Sequence, residues 1–274
     1  MSIVQFRQGS DLATSDTRKG PSPNLWYACP SPQELIEGPR YGYGNVWGPD
    51  RFLNSRAFTV PTTEANFNEY KGFSDTGGAM AIASAAGGGI ILSSDDDNEG
   101  ASIADVTLPF KIIRGGGSLW FEASVQTSTI ADTKVGFVIG LWEQQTLSAT
   151  VPIAAAGTLA DANFVGFHRL EGDGDQIDIV YKANGVTQVS QTDAQTLVAD
   201  TAMKLGFYYD DASFVLTYFA NGIKIGTPKT IPTAAGTDFP NDVLLGKCFA
   251  VLNAAGSSPG TVTCNWWRAV QLFP

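Results

Sequence analysis

The side chains in this chain that can do chemistry are few, and most are carboxylates. Asp95-Asp96-Asp97-Asn98-Glu99 and Glu171-Gly172-Asp173-Gly174-Asp175 gather hard oxygen ligands of the kind calcium takes. Asp95, Asp96, Asp97, Asp173 and Asp175 are therefore the candidate metal ligands. Neither cluster has the spacing of a defined calcium loop, and Asp-Gly pairs are also what tight turns require. Solvated turns are the default reading, and no cofactor is expected. Glu122 and Glu143 stand on consecutive strand-like runs. Cleaving a glycosidic bond takes two carboxylates flanking it, one of them held protonated. If the turn 129–133 pairs Ser128 with Lys134, Glu122 falls opposite Gly140 and Glu143 points to the other side. His168 is the sole histidine, so a His-based triad or multi-histidine metal site has little to draw on. It alternates with Phe167 and Arg169 and reads as a strand residue with a satisfied ring. No Gly-x-Ser-x-Gly elbow, phosphate loop or dinucleotide fingerprint stands between a strand and a helix. The chain is not expected to be an enzyme.

The elements that must position these groups are strands. Between Gln176 and Lys229 short alternating runs are broken by Asn184-Gly185 and Asn221-Gly222, pairs that accept positive φ at both central positions of a type I′ hairpin. Asp210-Asp211-Ala212 makes a third break, so the stretch reads as a meander. From Phe73 onward runs of Val, Ile, Phe, Thr and Tyr alternate with Gly, Asp, Asn and Ser, and no helix longer than two turns is expected. Ser118–Thr127 places Phe121, Ala123 and Val125 on an inward face and Trp120, Glu122 and Ser124 on the other. Lys134–Glu143 is apolar on both faces, as in a central strand covered on both sides. So many antiparallel strands require two packed sheets or a barrel.

The N-terminal segment differs. Pro21, Pro23, Pro30, Pro32, Pro39 and Pro49 interrupt any ladder or helix, and Trp26, Tyr27, Tyr41, Tyr43 and Trp47 lie among them. A linker is usually poor in aromatics, so the pattern predicts an extended arm, residues 1–72, ordered by docking its rings on its own body or a neighbour's. Trp26, Tyr27, Arg40, Tyr41, Tyr43, Trp47 and Arg51 are the candidate partner-binding residues. A single helical turn is expected at Pro32–Glu37, capped by Ser31. Residues 73–274 form the body.

Charge narrows the partners. Lys and Arg number 17 against 27 Asp and Glu, a net charge of −10. The excess lies in the body, since residues 1–71 hold seven charges of each sign. An acidic body repels phosphate backbones and anionic membranes, so neither nucleic acid nor membrane is expected as a partner. Cys29, Cys248 and Cys264 lack Cys-x-x-Cys spacing and read as buried reduced thiols. Met1–Gln8 has no apolar core of a signal peptide, and Ala79–Leu92 is too short and glycine-rich to span a bilayer.

Leu119-Trp120-Phe121-Glu122-Ala123, Gly136-Phe137-Val138-Ile139-Gly140-Leu141-Trp142, Phe164-Val165-Gly166-Phe167 and the paired Asn-Gly hairpins together resemble the concanavalin A-like (laminin-G-like) jelly roll, in particular the versions carried by structural proteins of tailed-bacteriophage virions. The resemblance covers roughly Phe73–Phe273. It implies an all-β, two-sheet antiparallel β-sandwich carrying the N-terminal arm. It further implies a capsid decoration or cement subunit made in the host cytoplasm and seated on the virion exterior, held to capsid or other virion proteins in closed homo-oligomers such as a trimer. The alternative implication is a lectin-like module that binds a host-surface glycan, with calcium held by loops and sugar stacked on Trp142, Tyr208 or Trp267. Glycosidases of this fold carry a Glu-x-Asp-x-x-Glu run, which is absent here. Of Trp266-Trp267, one ring is expected to point inward and the other outward, where it can dock the arm.

Overall fold

The computed structural model describes residues 22–29, 46–47, 63–67, 70–83, 89–94, 99–131, 135–143, 145–148, 152–153, 158–170, 172–235, 237–253 and 260–272. Among these, one short helix, α1 (Pro23–Trp26), precedes sixteen strands. They are β1 (Val46–Trp47), β2 (Ala65–Phe67), β3 (Tyr70–Ser74), β4 (Ala79–Ile82), β5 (Ile90–Ser94), β6 (Glu99–Asp105), β7 (Leu119–Thr127), β8 (Gly136–Trp142) and β9 (Phe164–Arg169). There follow β10 (Gln176–Lys182), β11 (Val189–Thr196), β12 (Met203–Asp210), β13 (Val215–Ala220), β14 (Ile223–Thr230), β15 (Gly246–Asn253) and β16 (Gly260–Gln271). Sheet A runs β14-β13-β12-β7-β16-β5-β4, with β1 beside β16, and sheet B runs β11-β10-β9-β8-β15-β6-β3-β2. Every pairing is antiparallel. This is the two-sheet sandwich expected from the alternation.

The layer between the sheets follows the period of two. Phe121 and Phe207 stack at 5.0 Å within sheet A, and Tyr218 meets Phe207 and, from the other sheet, Phe167 edge-on. Such ring pairs add about 1 kcal/mol each beyond the area they bury. β16 would lose this phase without its irregularity. Val262 and Cys264 face the core, the register slips between Cys264 and Trp266, and Trp267 and Ala269 then face the core. A bulge inserts one extra residue and so restores inward aim for an odd spacing. Thus Trp267 is the inward ring of its pair.

Both outer faces carry a further layer. On sheet B, Val138, Trp142, Phe164, Val180, Cys248, Ala250 and Leu252 are covered by Leu147, Ile153, Leu159 and Ala162 from the long β8–β9 connection. That cover explains why β8 is apolar on both faces and buried along its whole length. On sheet A the cover is α1. Cys248 and Cys264 therefore lie in different layers, and the described cysteines are free thiols.

Several local expectations need correction. β7 and β8 do not form a hairpin, because β7 lies between β12 and β16 in sheet A and β8 between β9 and β15 in sheet B. Ser128 N–H donates to Thr261 O at 2.9 Å, so the chain arches from one sheet to the other at this point. The parity argument for Glu122 and Glu143 thus has no ladder to act on. Asn221-Gly222 is the expected I′ turn, with φ of 49° and 77° between paired Ala220 and Ile223. Asn184-Gly185 is not a tight two-residue hairpin, since the last rung is Tyr181 with Val189 and residues 183–188 form a wider loop. Tertiary bonds open it: Asn184 N–H reaches Asn163 Oδ1 at 2.9 Å and Gly185 N–H reaches Asp161 Oδ1 at 2.8 Å. The expected boundary at residue 72 falls inside β3, whose Tyr70 packs on Trp267 at 5.7 Å, so the body begins before Phe73. The helical turn expected at Pro32–Glu37 lies outside the described residues; the turn that is present starts at Pro23, where the fixed φ of proline suits a first helical position.

At one rim of the sandwich the edge strands β11 and β14 are joined by a side chain. Gln191 donates to Thr227 O at 2.8 Å and accepts from Thr227 N–H at 2.6 Å, so one amide meets both main-chain groups of a residue on an edge. Gly226, at φ +59°, leaves the space this requires, because a Cβ there would lie 2.7 Å from Gln191 Oε1.

Candidate functional site

Among the described residues, two of the polar clusters buried on the outer sheet faces hold the groups best suited to chemistry. The first forms where α1 covers sheet A. Glu122 projects from the middle of β7, with Gly206 of β12 and Arg268 of β16 opposite it in register. Its Oε2 accepts from Ser22 N–H and from the Trp26 indole N–H, both at 2.8 Å. Burial raises the Glu122 pKa above the usual carboxylate range, against the bonds from Ser22 and Trp26 and the positive charge of Lys204, which lower it. Leu25 and Trp26 pack with Trp120, Phe219 and Val270, and Trp120 stacks on Tyr208 at 5.0 Å. The Arg268 guanidinium lies 5.5 Å from the centre of the Trp26 ring. Asn24 Nδ2 donates to Gly222 O at 3.1 Å. Glycine at 206 makes the fit, as a Cβ there would come within 2.6 Å of Leu25 Cδ1. The arrangement is a recess that recognises a main-chain N–H and an indole N–H on one carboxylate oxygen.

The second centre lies on sheet B, where His168 of β9 pairs with Asp178 of β10. His168, Asp173 and Asp178 offer ligand atoms within 4.8 Å of one another. Asp178 Oδ1 accepts from Asp193 N–H at 2.9 Å, leaving Oδ2 at 3.8 Å from His168 Nδ1. Asp173 Oδ2 accepts from Leu170 N–H at 3.2 Å. The histidine tautomer follows from Gln188. Its Oε1 accepts from Leu159 N–H at 3.0 Å, which turns its Nε2 toward His168 Nε2 at 2.9 Å. His168 Nε2 is then the acceptor, and in the neutral ring Nδ1 carries the proton. A cation on Nδ1 would need that proton moved to Nε2, where it would face an amide donor. The donor set therefore fits a buried neutral histidine beside a carboxyl group better than a metal.

Burial holds the His168 pKa down to about 4 from 6.5. Burial also pushes Asp178 up to about 6 from 3.8; the Asp193 N–H bond opposes this, and the charges of Asp173 and Asp193 add to it. Between pH 4 and 6 the unfolded pair keeps its one proton on the imidazole, whereas the folded pair keeps it on the carboxyl. The proton counts match, so the pair gives stability no slope in that window. Asp178→Asn leaves His168 alone. Its folded pKa lies below its unfolded one, so its contribution is present above pH 6.5 and lost as pH falls through 4. At 1.36 kcal/mol per unit that loss totals about 3 kcal/mol. His168→Asn leaves Asp178, whose raised pKa withdraws stability as pH rises from 3.8 to 6. Urea midpoints between pH 4 and 7 should slope in opposite directions for the two variants, and flat profiles for both would contradict the assignment.

Of the residues singled out in the sequence, Trp26 is buried on its own body, while Tyr27 beside it is 91% exposed. Trp47 pairs through its main chain with Val270. Arg40, Tyr41, Tyr43 and Arg51 lie outside the described residues, as do Asp95, Asp96 and Asp97. Asp173 joins His168 and Asp178 and not Asp175, whose carboxylate accepts from Gln176 Nε2 at 2.6 Å. Trp142 and Trp267 are buried and offer no face to a sugar, and Tyr208 is stacked on Trp120. Glu143 is held by Gln145 and Asn163, on a different sheet from Glu122. The recess around Glu122 was not visible in the sequence, because its acceptor and its donors are about a hundred residues apart. The one local signal was a lone acidic residue between Trp120 and Ser124 on a strand with no other charge.

No family model and no curated protein matches the chain. Solved structures do. A protein of unknown function from Shewanella oneidensis MR-1 is 14% identical, with 89% of this chain and 95% of that one covered at a TM-score of 0.54. Peanut lectin, solved with a nine-residue peptide, is 13% identical, with 84% and 98% covered at a TM-score of 0.54. The carbohydrate recognition domain of Emp47p is 13% identical, with 82% and 94% covered at a TM-score of 0.50. At such identities the likeness is one of fold. The all-antiparallel pairing, the two stacked sheets and these neighbours together make the chain a concanavalin A-like jelly roll.

Proposed function

We propose that this protein is a non-enzymatic structural component of a virion, a decoration or cement subunit on the capsid exterior that works through protein contacts of its N-terminal segment and its sandwich. The observation that carries the reading is the Trp26–Glu122 contact, in which a proline- and aromatic-rich segment is used as a docking element on a sheet face. An arm of this composition extends an interface at small cost in ordering, since its rings are rigid and its prolines restrict the free chain. Tyr27, exposed beside the dock, and Arg40, Tyr41, Tyr43, Trp47 and Arg51 supply contacts to neighbouring virion proteins in this reading. The net charge of −10 favours protein over nucleic acid as the partner. Among the described residues no helix is long and apolar enough to cross a membrane. The carboxylates and the histidine that a hydrolase would need are engaged in packing: Glu122 under α1, Glu143 on Asn163, and His168 with Asp178 and Gln188. Mass spectrometry of particles purified from the source virus, with the chain quantified against the major shell protein, tests the reading. A fixed stoichiometric ratio supports it, and absence from the particles overturns it.

A second reading, a glycan-binding module for host-surface recognition, is favoured by the likeness to peanut lectin and to the Emp47p carbohydrate recognition domain. Calcium held by Asp95, Asp96 and Asp97 belongs to this reading. It predicts saturable binding on a saccharide array that is lost on chelation and on Asp95→Asn with Asp97→Asn; an array without signal in millimolar calcium excludes it.

A further inference from the structure

We infer that the recess around Glu122 is a docking site for the Ser22–Cys29 segment of a second copy of this chain, so that copies are joined by exchanging α1. The inference rests on the reading that the N-terminal segment makes protein contacts, and it adds which residues are exchanged and where they land.

Four observations lead to it. A four-residue helix has no stability of its own, so its conformation is imposed by the surface it meets. Each anchor of the segment joins it to strands or turns remote in sequence: Ser22 and Trp26 to Glu122, Asn24 to Gly222, and Leu25 to Gly206. None of these contacts depends on which chain supplies the segment. Residues 30–45 separate the Ser22–Cys29 segment from β1, and a chain of that length reaches at most about 55 Å, enough to cross to an adjoining body. Finally, the dock is flanked by large apolar side chains left in solvent. Tyr27 is 91% exposed one helical turn beyond Asn24, and Ile223, 69% exposed, follows the Gly222 that Asn24 grips. In one copy the Tyr27 ring and the Ile223 side chain stay in water, and a neighbour delivering the segment brings a second body beside both, where they can be covered. The balance between docking in cis and in trans is then a matter of effective concentration.

The test uses the full chain in two isotopic forms. A light copy carries photo-leucine in place of leucine, a heavy copy is uniformly nitrogen-15 labelled, and the two are mixed over a range of concentrations, equilibrated and irradiated. A link between the light peptide containing Leu25 and the heavy peptide containing Gly206 can arise only from docking in trans. We expect such links to grow with concentration, and sedimentation velocity to show self-association that Trp26→Ala weakens at least ten-fold. Links confined to light–light pairs at every concentration, or a wild-type chain that stays monomeric throughout, would overturn the inference. So would a saccharide that displaces α1 from the recess, since the face would then be a sugar site. The outcome is separable from the virion assignment: a chain abundant in particles yet without mixed links defeats only the exchange, and mixed links from a chain absent from particles defeat only the assignment.

Discussion

Replacing Arg169 by methionine is expected to destabilise the protein by about 3 kcal/mol, since a buried carbonyl loses its donor and two further charge-assisted bonds go with it. Arg169 ends β9 with its side chain wholly enclosed. Its Nε donates to Gly174 O at 2.6 Å, Nη1 to Val135 O at 2.5 Å and Nη2 to Ala131 O at 2.9 Å. One planar fork thereby ties the β9–β10 turn, the start of β8 and the arch that carries the chain between sheets. Methionine fills much of the volume but leaves the buried Val135 carbonyl without its donor and returns the part-buried Gly174 and Ala131 carbonyls to water. Lysine restores the charge but not the fork and should fall between the two. Thermal unfolding is the measurement: the methionine variant should melt about 10 °C below the parent. A shift of a degree or two would mean that the carbonyls find other donors.

Gly166→Ala should be comparably damaging, for a reason that involves no polar group. Gly140 and Gly166 face one another across β8 and β9 at the centre of sheet B. A Cβ on Gly166 would lie 2.3 Å from Ile139 O and 2.7 Å from Gly140 Cα, with the Phe164 ring 3.0 Å above it. The obstacles are mostly main chain, so the strands themselves must part. Overpacking of this kind costs about 3 kcal/mol or more when side chains cannot yield. Soluble yield and urea midpoint should both fall sharply, and the same exchange at Gly185, whose Cβ would meet nothing within 4 Å although its φ is +75°, should cost far less. Equal losses at the two sites would show that glycine matters here for backbone freedom alone.

The sandwich was legible because its strands obey a period of two and its turns carry Asn-Gly and Asp-rich breaks. Alternation reports which residues share a face; it does not report which strands are neighbours. That is why Ser118–Thr127 and Lys134–Glu143 read as strands while the hairpin considered between them does not exist: the chain between them changes sheet. The bulge in β16 is equally silent in the sequence, since a one-residue slip leaves Trp266-Trp267 looking like any adjacent inward and outward pair. β2 and the first residues of β3 fall in the segment read as the arm because proline upstream masks the onset of the sheet. The Glu122 recess and the His168–Asp178 pair depend on contacts between distant segments. Composition marked the arm as something that docks and left open where; the structure places Trp26 on its own sheet A.

The Gln191–Thr227 clasp sets a limit on how copies of this protein can grow into larger bodies. A sandwich with bare rims can be extended indefinitely, each new molecule continuing the ladder of the last, and such growth ends in fibres. Here a glutamine already occupies part of the rim from within, and Lys224, Pro228 and Lys229 along the same strand make a foreign strand an unwelcome guest. Growth by ladder is closed off at that side, which leaves contacts through faces and tails, and those can stop at a fixed number.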